Sequence, residues 1–125
     1  MRVISFALTT KQFLDGTKDV TRRLGWDRLK SGDPLRVVRK SMGLKAGEVM
    51  EVLGFIRAVD VRREPLNQIC ADLEYGYREM IREGFPPPHE LCDPANFLDW
   101  FCTTHTGCFP SRPITRIEFV RIEAP

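Results

Sequence analysis

No apolar run in the 125 residues approaches the length a membrane-crossing helix needs, which sets helical transporters and anchors aside. The start, Met1-Arg2-Val3-Ile4-Ser5-Phe6, turns polar too soon for a secretory signal, and no small-residue cleavage pattern follows it. The chain therefore reads as cytoplasmic, with no membrane partner. Its four cysteines, Cys70, Cys92, Cys102 and Cys108, include no Cys-x-x-Cys pair, so the spacing of a zinc knuckle is missing. With 42% hydrophobic residues a domain of this size builds a core without disulfide staples, and reduced thiols are expected. Aromatic residues are scarce at 10%, with two tryptophans and two tyrosines, fewer than an extended stacking platform for single strands uses. Internal repeats, linkers and low-complexity segments are absent, and residues 1–125 read as one domain.

Charge is present in both signs but unevenly placed. Residues 1–50 hold eleven Lys and Arg against five Asp and Glu, whereas residues 51–125 hold eight against twelve. The formal net charge of +2 conceals this split, which is compatible with one basic face that meets phosphates. The densest part is Gly16-Thr17-Lys18-Asp19-Val20-Thr21-Arg22-Arg23, three cations and two hydroxyls directly after a short helical pattern. Lys18, Arg22 and Arg23 cannot all be buried without partners, so the segment is expected to present charge to an anion.

Periodicity supplies the elements. Arg2 to Leu8 alternates with Ile4, Phe6 and Leu8 on one side, a strand; Thr9 or Thr10 then caps a short helix that Gly16 ends. Leu35 to Arg39 reads as a strand leaving the Gly32-Asp33-Pro34 turn. Glu48 to Arg62 is the longest strand signal, with Val49, Leu53, Phe55, Val59 and Val61 on one parity and a bend expected at Gly54. Leu73, Tyr77, Met80 and Ile81 fall at helical spacing and predict an amphipathic helix over 72–83, stopped by Gly84 and the prolines 86–88. A second helix starts at Asp93-Pro94 with Phe97, Leu98 and Phe101 on one face, and Ile114 to Glu123 closes the chain as a strand whose phase change predicts a bulge. Helices clustered between strands of a mostly antiparallel set give an α+β class, a small barrel with helices inserted at one end.

The pattern Gly-x-Lys-x-x-x-x-Arg from Gly16 through Lys18 to Arg23 resembles the signature of the ASCH domain, a member of the PUA-like β-barrel superfamily. Four further segments resemble small stand-alone ASCH proteins, including those of phages and prophages. They are the Phe6 to Leu14 entry, the Gly32-Asp33 turn, the helix ending in Glu83-Gly84-Phe85-Pro86, and Thr115-Arg116-Ile117-Glu118-Phe119. The resemblance implies a PUA-like barrel that handles RNA, another nucleic acid or a modified nucleobase, with ribonuclease activity among the family's reported properties. Bacterial acetylcytidine amidohydrolases resemble the same family and use a Lys-x-x-Thr pair with a helix-borne Glu, which implies Lys18, Thr21 and Glu83 as a catalytic set here. This chain is longer than those enzymes, is rich in Cys and Pro in its second helical region, and carries Arg22 where they have an apolar residue.

Side-chain chemistry leaves two readings open. Lys18 and Thr21, three apart, lie on opposite faces of a regular strand and converge only where the backbone is irregular, which Gly16 allows. If they converge, a desolvated Lys18 can take the Thr21 proton for attack on a carbonyl, with Glu83 completing the site. In the other reading Lys18, Arg22 and Arg23 bind phosphates, Thr21 bonds backbone, and Glu83 pairs with Arg82 or Arg22. Trp26, in a loop beside Gly25 and four residues after Arg22, is the aromatic placed to stack a base; Tyr75 and Phe85 are lesser candidates, and Trp100 falls beside the core face of its helix. Cys92, Cys102, His105 and Cys108 are four soft ligands, but about 15 Å of helix separates the first two, so neither a metal nor another cofactor is expected. A Gly107 turn orienting His105 toward a pocket or a core contact is the alternative.

Overall fold

The computed structural model describes residues 1–125. In chain order the elements are β1 (Arg2–Ser5), α1 (Thr10–Leu14), β2 (Val20–Arg23), β3 (Pro34–Val38), β4 (Val52–Pro65), α2 (Gln68–Ala71), α3 (Leu73–Glu83), a 3-10 turn (Glu90–Cys92), α4 (Pro94–Thr104) and β5 (Pro113–Ile122). The strands make one five-stranded sheet in the order β1-β3-β4-β5-β2, with β1 and β3 parallel and the other pairs antiparallel. The class is α+β with a barrel-like sheet, and three of its four helices fall between β4 and β5. The sheet has two edges, β1 and β2, and this pairing leaves an open seam between them.

One core cluster fills the sheet's inner side, built on Ile4, Phe6, Phe13, Leu35, Ile56 and Ile117; a second, with Leu66, Ile69, Met80, Phe97 and Ile114, lies under the helices. Each fully buried Leu, Ile or Phe contributes about 1.5–3 kcal/mol of transfer free energy, so these clusters carry most of the fold. α4 begins as its sequence dictates: Asp93 accepts from the Ala95 amide at 2.8 Å and Pro94 occupies the first turn.

Four expectations are corrected. β1 ends at Ser5, and Leu8 lies exposed on the following turn instead of continuing the alternation. In β4 the fully buried residues are Ile56 and Ala58, of opposite parity to the expected face, because an extra residue at Val59 and the irregularity near Gly54 shift phase. Gly54 is where Phe13 packs against bare backbone. The bulge read into β5 from its phase change therefore belongs to β4, between Ala58 and Asp60, and it lets Phe119 stay inside while Val120 faces out.

The fourth correction concerns α3. Its limits follow the caps: Asp72 accepts from the Tyr75 amide, and Gly84 stops the helix in a left-handed conformation at φ 109°. Yet Leu73, Tyr77 and Ile81 are 54%, 50% and 44% exposed, while Gly76, Glu79, Met80 and Glu83 are buried. Of the expected apolar stripe only Met80 points in, and two carboxylates point in beside it. Gly76 allows this orientation, since a Cβ there would lie 1.9 Å from the Ile69 carbonyl oxygen and 2.9 Å from Pro94 Cγ. Hydrophobic spacing could not reveal that arginines on the sheet recruit the acidic face.

Candidate functional site

Arg23, at the end of edge strand β2, reaches across the seam to the other edge. Its Nη2 donates to the Ser5 carbonyl at 2.6 Å, its Nε donates to Thr21 Oγ1 at 3.2 Å, and its guanidinium lies over the Phe6 ring. A cavity of about 280 Å³ opens at this place. One wall carries Lys18, Thr21, Arg22, Arg23 and Glu83; the other is aromatic, with Phe85, Phe97, Trp100, Phe101 and His105.

Lys18 precedes β2 in the irregular segment that Gly16, at φ 84°, makes possible. Backbone bonds from Lys18 to Gln12 and from Asp19 to Arg82 pin that segment between α1 and α3. The buried ammonium donates to Val20 O at 2.9 Å, Glu83 O at 2.7 Å and Glu83 Oε1 at 3.3 Å, which uses all three of its protons. Burial lowers its pKa to about 8, with the Glu83 carboxylate opposing the shift.

Arg22 points to the other face of β2, toward α3. Nη1 donates to Glu83 Oε2 at 3.0 Å, and Nη2 to Glu79 Oε1 at 2.6 Å, Glu64 Oε2 at 3.2 Å and the Tyr75 hydroxyl at 3.1 Å. Although its burial opposes the charge, Glu83, Glu79 and Glu64 hold its pKa above the ordinary value. Arg116, opposite Arg22 in the β2–β5 register, also donates to both oxygens of Glu79. Burial disfavours the Glu79 carboxylate, but Arg116 and Arg22 outweigh it and bring its pKa to about 2. This internal layer corrects the expectation that the motif's cations must face an external anion. Arg22 is committed to three glutamates and joins helix to sheet.

Arg23 differs from its neighbours because no carboxylate forms an ion pair with it, and its Nη1 has no protein hydrogen-bond partner. Burial depresses its pKa, yet a guanidinium stays charged in a protein. With Lys18 balanced against Glu83 and Arg22 against the other glutamates, the wall carries one cation in surplus.

Lys18, Thr21, Arg22, Arg23 and Glu83 are thus brought to one cavity. Trp26 is not among its lining residues: the Arg2 guanidinium covers its ring at 3.8 Å and it packs on the barrel core, so the loop position that suggested a stacking role is already filled. Trp100, expected at the core face, packs there against Phe97 and Phe101 and lines the cavity as well. His105 does too; its ring stacks on Phe101 with centroids 3.9 Å apart, and its Nδ1 bonds Phe101 O at 2.9 Å, which places the proton on Nδ1. Nε2 has no hydrogen-bond partner within the protein. The His105 and Trp100 contributions have one sequence signal, their spacing along the face of α4 next to Phe97 and Phe101. The Gly107 turn folds Cys108 back to Cys102, with sulfurs 3.7 Å apart, and all four cysteines are free thiols. No three His, Cys, Asp or Glu side chains gather as a metal cluster.

No protein-family model matches the chain, and no curated protein does. Among solved structures it is similar to protein EF3133 from Enterococcus faecalis V583, described under the family model DUF984. The TM-score is 0.62 at 14% identity, over 98% of this chain and 76% of that one. A likeness at this identity speaks to fold, an α+β barrel-like domain, and to nothing finer. No helix is long and apolar enough to cross a membrane.

Proposed function

We propose that the seam cavity binds a nucleobase-bearing ligand, a nucleotide of RNA or a modified nucleoside. The observation that carries this reading is the Arg23 guanidinium, half-buried and without a counter-ion, facing an aromatic wall across about 280 Å³. A partly desolvated cation without a counter-ion is costly, and an incoming phosphate or carbonyl oxygen relieves that cost. Trp100, half-buried on the cavity wall, supplies a face on which a base stacks, and the volume is near the lower end of small-ligand sites. The sequence resemblance to ASCH domains of the PUA-like superfamily favours the same ligand class. Exposed Lys30, Lys40 and Lys45 add positive charge on the same half of the chain.

Titration with a single-stranded oligoribonucleotide at several salt concentrations, with mononucleotides as competitors, tests the reading. Affinity is expected to fall with salt, Arg23→Ala to flatten that slope, and a mononucleotide to displace the oligomer. Binding indifferent to salt and to Arg23→Ala would refute it.

A second reading, an amidohydrolase of an acylated nucleoside such as acetylcytidine, is favoured by the meeting of Lys18, Thr21 and Glu83 at the same cavity. Neutral Lys18 would take the Thr21 hydroxyl proton, and Arg23 would face the oxyanion that forms on the attacked carbonyl. Because Lys18 spends its protons on Val20 and Glu83, it must first release one of these bonds. Incubation with acetylcytidine, compared with Thr21→Ala, is the test: deacetylation abolished by the substitution supports the reading, and no deacetylation by the parent chain refutes it.

A further inference from the structure

We propose that Cys102 and Cys108 are a redox dithiol that hydrogen peroxide closes to a disulfide, and that closing it is transmitted to the cavity wall through His105. The two thiols are six residues apart, and a turn brings them together. Cys108 N bonds His105 O at 3.1 Å, and Gly107 takes the left-handed position of that turn at φ 76°. The Cys102 thiol donates to Cys108 Sγ at 3.7 Å, and both residues are half-buried at the end of α4. A disulfide needs its sulfurs about 2.05 Å apart, so closure asks for a shift of roughly 1.7 Å. Cys102 sits on α4 and Cys108 on the turn that follows it, and both pack against the core cluster under the helices. Thr104 and His105, which line the cavity, lie inside the loop that would be closed.

The direction of attack follows from the same contact. Burial, and then the hydrogen bond to Cys108, hold the Cys102 thiol up at about 11, so it remains protonated at neutral pH. Cys108, which accepts that hydrogen bond, is the nucleophile. Its thiolate attacks one peroxide oxygen, the O–O bond breaks, and the leaving hydroxide takes the proton that the thiol gave up, forming one water and a sulfenic acid. Cys102 then displaces the hydroxyl from the sulfenic sulfur; its proton leaves with that hydroxide as a second water. Two thiols lose two electrons and two protons in all, and the peroxide is reduced to two waters.

No ligand is needed for the test. The protein is treated with one equivalent of hydrogen peroxide, its free thiols are alkylated, and the products are located by mass spectrometry; ring resonances of the two histidines are followed by NMR. Expected are a Cys102–Cys108 linkage with the loss of two hydrogens, a shifted His105 signal beside an unshifted His89 signal, and reversal of both by dithiothreitol. Cys108→Ser and, separately, Cys102→Ser should abolish the linkage and the shift, while Cys92→Ser leaves both. Oxidation that falls on Cys70 or Cys92 with Cys102 and Cys108 still open to alkylation overturns the dithiol. A linkage that leaves the His105 signal in place overturns the transmission to the cavity.

Discussion

Lys18 caps the helix that ends at Glu83: its ammonium lies 2.7 Å from the Glu83 carbonyl oxygen and 3.3 Å from the carboxylate of the same residue. A cation at a helix C-terminus meets the negative end of the helix dipole, and this one also meets a side-chain charge. The other Glu83 oxygen is held by Arg22, so one residue ties β2, the segment before it and α3 together.

Glu83→Gln keeps the shape and removes the charge that two buried cations share. Loss of one partner of a buried pair costs about 3–5 kcal/mol, and the substitution is expected to destabilise the fold by about 3 kcal/mol in urea denaturation. A change below about 0.5 kcal/mol would show that Lys18 and Arg22 do not depend on it.

Acid should act through Glu79. Its folded pKa of about 2 lies below the ordinary 4.5, so its contribution is present above pH 4.5 and is lost as pH falls toward 2. After allowance for solvent screening the loss is about 2 kcal/mol. Glu79→Gln should therefore be less stable than the parent at pH 7, with a gap that narrows below pH 4; a gap independent of pH contradicts this assignment.

Alkali should act in the opposite sense through Lys18. Its folded pKa of about 8 lies below the ordinary 10.5, so between these values the unfolded chain binds more protons and Lys18 makes stability rise with pH. Lys18→Met should remove that rise, which is on the order of 3 kcal/mol across the window. Should the chain deacetylate acetylcytidine with Lys18 as base, its rate would climb through about pH 8; a flat profile between pH 7 and 9 excludes Lys18 from that role.

Gly76 is a packing requirement in the middle of a helix, where glycine is otherwise unfavourable. The 1.9 Å approach of a Cβ to the Ile69 carbonyl oxygen is to backbone, which cannot swing away. Gly76→Ala is expected to cost about 3 kcal/mol or more by thermal unfolding, despite the better helix propensity of alanine. An unchanged midpoint would mean that α3 does not sit this close to α2.

Much of the fold was legible because it rests on local rules. Asp93-Pro94 and Gly84 mark helix ends through capping chemistry, and Gly32-Asp33-Pro34 marks the turn into β3. The inward face of α3 was not legible, since Glu79 and Glu83 are buried by Arg22 and Arg116, partners 57 and 37 residues away from Glu79. The density of Lys18, Thr21, Arg22 and Arg23 located one wall of the cavity. The place of Trp26 was not legible because Arg2, distant in sequence, covers its ring, and that of Trp100 because α4 carries it to the seam as well as to the core.

The central claim, a base stacked in the seam cavity with Arg23 on its polar side, is tested most directly by Trp100 fluorescence. In a Trp26→Phe chain Trp100 is the sole tryptophan. Titration with mononucleotides should quench it to saturation at one ligand per chain, and Arg23→Gln should weaken the apparent affinity at least tenfold. That substitution should leave the thermal midpoint equal or higher, because it removes a half-buried cation that has no counter-ion. Nucleotides that leave Trp100 unchanged at millimolar concentration, or a quench that Arg23→Gln does not alter, would contradict the account.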